Sequence, residues 1–159
     1  MASDFHEQLA SLQYENTQLR LSLSSLEEKL EDLECRERRN NLIFHGISGE
    51  RGETWDQSES NVREFLHDEL HVEKANDIVI IRAHRLNPGK SDSPIIDKFL
   101  LTKDKSDIFK RGREQQDRNH RSRVTEDFPQ KIREDRRALS TYFQEARDSG
   151  NDLRYVLTS

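Results

Sequence analysis

The sequence predicts an α+β protein in two parts, a long oligomerising helix at the N-terminus and a folded head that mixes strands and helices. Three observations lead there. Apolar residues recur at alternating spacings of four and three through Phe5, Leu9, Leu12, Leu19, Leu23, Leu26, Leu30 and Leu33. The period drops to two just past a basic hinge at Arg36 to Asn41. Charge is split along the chain: residues 1–37 hold 3 Lys/Arg against 9 Asp/Glu, and residues 78–159 hold 18 against 13.

The heptad spacing puts Leu9, Leu23 and Leu30 at a and Phe5, Leu12, Leu19, Leu26 and Leu33 at d, with Asn16 the one polar residue at an inner position between Ala2 and Leu33. A Leu-rich seam interrupted by a single Asn is the pattern of a coiled coil whose register is fixed by that Asn. In a parallel pairing the g position of one helix faces the e position five residues on in its neighbour. Glu15 then meets Arg20 and Lys29 meets Glu34, so both pairs attract. An antiparallel pairing sets Asn16 against Leu. Residues 1–38 are thus expected to form a parallel homo-oligomeric stalk through Leu9, Leu12, Asn16, Leu19, Leu23, Leu26, Leu30 and Leu33. Lys29-Leu30-Glu31-Asp32-Leu33-Glu34 is close to the Arg-h-x-x-h-Glu pattern of short parallel trimers. A trimer is the first expectation and a dimer the second.

Past the hinge, Leu42 to Gly46 reads as a strand and Gly49 to Thr54 as a loop. From Asp56 an amphipathic helix shows Val62, Phe65, Leu66 and Leu70 on one face, with Asp56 and Glu59 as its capping pair. Ile78 to Arg85 is a β-branched second strand, Pro94 to Leu100 a third, Thr102 to Arg113 a second helix and Arg123 to Phe128 a fourth strand. The order β-α-β-β-α-β is that of the ferredoxin-like split unit. Pro129 is well placed to open a third helix bearing Ile132, Leu139, Phe143 and Ala146, ending near Gly150, before a last strand at Leu153 to Leu157. Alternation also places Asp97 on the face of Ile95 and Phe99, toward the core, where an unpaired carboxylate costs several kcal/mol.

Composition narrows the function. A chain of 159 residues with 31% hydrophobic and 36% charged residues has little material for a large core, so an enzyme with a buried pocket is not expected. No stretch reaches the roughly 20 apolar residues of a membrane span, and Asp4 and Glu7 stand where a signal peptide is basic. An intracellular, soluble protein is the expectation, with Cys35 as a free thiol. The order His67-x-Glu69-x-His71 is not that of a zinc peptidase, which needs Glu directly after the first His, so no metal and no cofactor is expected. Trp55 reads as a loop or core anchor. A zipper-type DNA binder carries its basic segment before the coil, whereas here it follows.

Several short motifs occur together: Arg38-Arg39-Asn40-Asn41-Leu42 leading to Gly46-Ile47, Ala83-His84-Arg85, Pro94-Ile95-Ile96 with Lys98-Phe99-Leu100, Lys103-Asp104-Lys105, Glu126-Asp127-Phe128 and Arg136-Arg137. In this order and spacing, over roughly residues 28–159, the chain resembles the protein of the first open reading frame of LINE-type, non-LTR retrotransposons. The resemblance implies a coiled-coil homotrimer, an atypical RNA-recognition (RRM-like) domain over residues 39–128, and a small α/β C-terminal domain, partial here, over residues 129–159. It also implies the coating of single-stranded RNA, with single-stranded DNA as a second ligand, and nucleic-acid-chaperone activity in cytoplasmic ribonucleoprotein particles and in the nucleus. Carried over, its RNA contacts fall on Arg39, Asn41, Arg85, Arg113, Arg136 and Arg137. Arg suits the task because its planar fork pairs with phosphate and stacks on bases. The aromatic strand signature of common RNA-recognition domains is missing, since the first strand offers only Phe44. A coiled-coil scaffold whose head binds proteins is the alternative.

Overall fold

A computed structural model describes residues 1–118 and 121–149. Among them run α1 (Ala2–Arg38), β1 (Asn41–His45), α2 (Trp55–Asp68), a single 3-10 turn (Ala75–Asp77), β2 (Ile80–Arg85), β3 (Ile95–Phe99), α3 (Thr102–Arg118), β4 (Arg123–Glu126) and α4 (Gln130–Asp148). The chain is α+β and divides into two compact units between Glu37 and Arg38.

Apart from its last residue, Arg38, the helix α1 makes up the first unit, and it is about 55 Å long at 1.5 Å per residue. None of its residues is buried. The seven seam leucines from Leu9 to Leu33 are each 45–65% exposed. Asn16 accepts a hydrogen bond at its Oδ1 from Arg20 Nε at 2.7 Å, and Asp32 pairs with Arg36 at 2.8 Å.

The second unit centres on an antiparallel sheet with strand order β2-β3-β1-β4. Because successive side chains on a strand point to opposite faces, the register fixes what each face carries. Leu42 lies opposite Asp97, which lies opposite Ala83; Phe44 lies opposite Ile95, which lies opposite Arg85. This is the inner face. Leu42, Phe44, Ile95, Phe99 and Val124 pack there with Val62, Phe65 and Leu66 of α2 and Ile108 of α3, so both helices cover the same side. Phe44 is the hinge of the core, edge-on to Phe65 at 5.8 Å and to Phe99 at 6.4 Å.

Local chemistry sets the helix ends. α2 begins at Trp55 rather than Asp56, because Thr54 is the N-cap: its hydroxyl accepts from the Gln57 N–H at 3.3 Å, while the Gln57 side chain accepts from the Thr54 N–H at 2.9 Å. Glu59, expected as a capping partner, instead pairs with Arg63. α3 continues to Arg118, past the Arg113 expected from sequence. It can approach β4 because Gly112 has no side chain; a Cβ there would lie 2.7 Å from the Val124 side chain. In α4, preceded by Pro129 at the N-cap, no residue is buried, and Leu139, Tyr142 and Phe143 are exposed. The expected C-terminal domain is therefore seen only as this helix. Its predicted end at Gly150 and the strand at Leu153 to Leu157 lie outside the described residues.

Candidate nucleic-acid interface

The face of the sheet that α2 and α3 leave uncovered is built from the alternate residues. Arg82 lies opposite Lys98; His84 opposite Ile96, which is opposite Ile43 and then Thr125; and His45 lies opposite Arg123. Arg82 and Arg123 are exposed, and Lys98 is half-buried. The strands' acidic residues, Asp97 and Glu126, both turn to the inner face, where Glu126 pairs with Lys105. The outer face thus carries three cations and two histidines with no carboxylate on any of the strand positions that form it.

Both histidines are held below the ordinary imidazole pKa, His45 by burial and then by the charge of Arg123, His84 by burial and then by Arg82. At neutral pH they are polar rather than charged. The His45 ring contacts Thr125 Oγ1 at 3.0 Å. The His84 ring lies against the indole of Trp55, centroids 5.4 Å apart and planes 25° from parallel. Trp55, expected as a loop or core anchor, is the first residue of α2, is 61% exposed and takes no part in the core.

The six residues expected to contact RNA separate into two groups. Arg39, Arg113, Arg136 and Arg137 are exposed. Arg113 lies over the Phe109 ring at 6.0 Å and Arg136 over the Phe128 ring at 4.5 Å, so two of the four rest on aromatic faces. Arg85 and Asn41 are internal, which corrects the expectation for both. Arg85 is 2% exposed, and its fork is spent inside the head. Nε and Nη2 donate to Glu53 Oε2 at 3.2 and 3.0 Å, and Nη1 donates to the carbonyls of Ile47 and Ser93 at 2.6 and 2.7 Å. Asn41, also 2% exposed, donates from Nδ2 to Asp127 Oδ2 at 2.9 Å, and the other oxygen of that carboxylate accepts from Arg38 at 3.0 Å. Arg38 therefore belongs with the head and ties its entry to the segment after β4.

Arg82, Arg123 and His45 are outer-face residues outside the sequence motifs, while His84 and Lys98 lie within them but were not among the expected RNA contacts. A signal for them exists in Ile80-Ile81-Arg82-Ala83-His84-Arg85. Once Ala83 is taken as inward, period two sends Arg82 and His84 outward and Arg85 inward. Comparison with protein-family models gives no match, and comparison with curated proteins gives no relative.

Proposed function

We propose that the chain is a non-enzymatic, RNA-binding structural protein of a retrotransposon ribonucleoprotein particle, which self-associates through α1 and binds single-stranded RNA with an RRM-like head. The observation that carries the reading is the make-up of the outer sheet face, whose strand positions include Arg82, Lys98 and Arg123 and no Asp or Glu. Strand positions whose charged residues are all cations favour a phosphate backbone. The β-α-β-β-α-β order with strands arranged β2-β3-β1-β4 supports an RRM-like head, though strand order alone is shared by unrelated functions. The exposed leucine seam of α1 supports assembly of several heads, as a trimer first and a dimer second. Chaperone-like activity, single-stranded DNA as a second ligand, and residence in cytoplasmic particles with access to the nucleus follow from the same resemblance.

Titration with single-stranded RNA over a range of salt tests this. Changing Arg82, Lys98 and Arg123 together to Ala should lower the salt slope by about 2, at roughly 0.7 per phosphate contact, and weaken binding alike for all sequences. An unchanged slope would move the interface elsewhere. The exposed Leu139, Tyr142 and Phe143 of α4 favour a second reading, a scaffold that binds proteins; in that case RNA binding with a salt slope is absent from the start.

Linkage between heads gives a second expected result. A chain beginning at Arg38 keeps the Arg38–Asp127 pair and the whole head unit. It should bind long RNA about 100-fold more weakly than the full chain but a one-head oligonucleotide equally well, since tethered sites raise the effective concentration by such factors. Equal affinity for long RNA would exclude multivalency as the mechanism.

A further inference from the structure

Trp55 is an anomaly if its role is only structural. A large aromatic side chain stabilises a fold by burial, yet this one is 61% exposed and stands apart from the core cluster. Among the described residues its ring contact is the near-parallel His84 imidazole. A ring that is covered on one face and still mostly exposed turns its other face to solvent. The backing is held in place: His84 sits on β2, its Nδ1 is buried without a hydrogen-bond partner among the described residues, and burial and Arg82 keep it uncharged at neutral pH. The stack is thus between two neutral rings, one at the start of α2 and one on β2.

The surroundings say what such a ring would take. Arg82 lies two residues before His84 on the same face, about 7 Å along the strand, and Lys98 lies directly opposite Arg82. An aromatic face flanked by cations is the combination that holds a single-stranded nucleic acid, bases on the ring and phosphates on the charges. We infer that the exposed face of Trp55, backed by His84, is a stacking platform for an unpaired nucleobase whose phosphates run over Arg82 and Lys98. This rests on the RNA-binding reading above and adds a base contact to it. The contact takes any base, because every base presents a π face, and so supplies affinity without sequence preference.

Trp55 is the only tryptophan of the chain, so its emission reports on this ring alone. The full chain is titrated with an end-labelled oligouridine of about 10 nucleotides, within the span of one head, and followed by both anisotropy and tryptophan emission. Emission should fall in step with the rise in anisotropy. Trp55→Ala should weaken binding by about 5- to 100-fold, the range set by loss of one stacked base, with the salt slope unchanged because the ring contacts no phosphate. An abasic oligonucleotide of equal length needs no variant: with the unmodified chain it should bind about as weakly as oligouridine binds Trp55→Ala and leave the emission unmoved. If anisotropy rises with a salt slope while the emission stays constant and Trp55→Ala binds as tightly as the parent, the platform is refuted and the basic face stands. If anisotropy does not rise at all, both are refuted.

Discussion

Arg85→Ala is expected to unfold or severely destabilise the head, and not merely to weaken a surface contact. The Arg85 and Glu53 side chains are 1% and 2% exposed, so removing the guanidinium leaves a carboxylate in the interior together with the carbonyls of Ile47 and Ser93. Breaking a buried pair by deleting one partner costs about 3–5 kcal/mol, a large share of the roughly 5–15 kcal/mol that holds a small domain together. Arg85→Lys keeps the charge but lacks the fork that reaches Glu53 and two carbonyls at once, so it should recover only part of the loss. Burial pushes the Glu53 carboxyl up, but the Ser58 hydroxyl and Arg85 together hold it below the ordinary glutamate value. The pair therefore persists where a free glutamate begins to protonate, and its contribution is lost as pH falls through that lowered value. Urea unfolding of the parent and the variants checks this. A midpoint unchanged by Arg85→Ala, accompanied by weaker RNA binding, would return Arg85 to the RNA contacts.

The contrast between Arg85 and Asp97 shows which features of the head can be read locally. Asp97 is placed inward by alternation with Ile95 and Phe99, and the sheet does bury it completely. The same alternation puts Arg85 inward, but a cation at a strand end ordinarily looks like surface until its counterion is known. That counterion is Glu53, 32 residues upstream in a loop, and no local pattern links the two. Asn41 hides for the same reason, since its partner Asp127 is 86 residues away. The elements themselves are carried by short-range signals and fall within a few residues of their expected positions. The exceptions are again specific. The 3-10 turn at Ala75–Asp77 has no apolar period to announce it, and its Ala75 carbonyl accepts from Arg63 of α2 at 2.6 Å. The last turns of α3 lie beyond the apolar residues that mark its start, and Gln115 there reaches Glu69.

Asp97→Asn should stabilise the head at alkaline pH and leave it nearly unchanged near pH 4. Among the described residues, neither carboxylate oxygen of Asp97 makes a hydrogen bond of ordinary geometry. Burial is the largest influence on its pKa and the nearby Glu59 carboxylate adds to it, pushing the group up to about 8. Arg63 and the Lys98 amide pull the other way without prevailing. Arg63 is already engaged, donating to Glu59 at 2.7 and 2.9 Å and to the carbonyls of Ala75 and Ile78. The folded chain keeps the Asp97 proton up to about pH 8, whereas the unfolded chain releases it near the ordinary aspartate value of 3.8. Between those limits the folded state holds more protons, so each unit rise in pH lowers stability by up to about 1.4 kcal/mol, and the loss is complete above the folded value. Asn has nearly the same shape and does not ionise, so it removes this slope. Since structural relaxation and water entry soften such penalties, a gain of about 2–4 kcal/mol at pH 8 is expected. Urea midpoints of the two proteins from pH 4 to pH 9 should therefore diverge steadily as pH rises. Parallel midpoints across that range would mean that Asp97 ionises in the folded head as readily as in the unfolded chain.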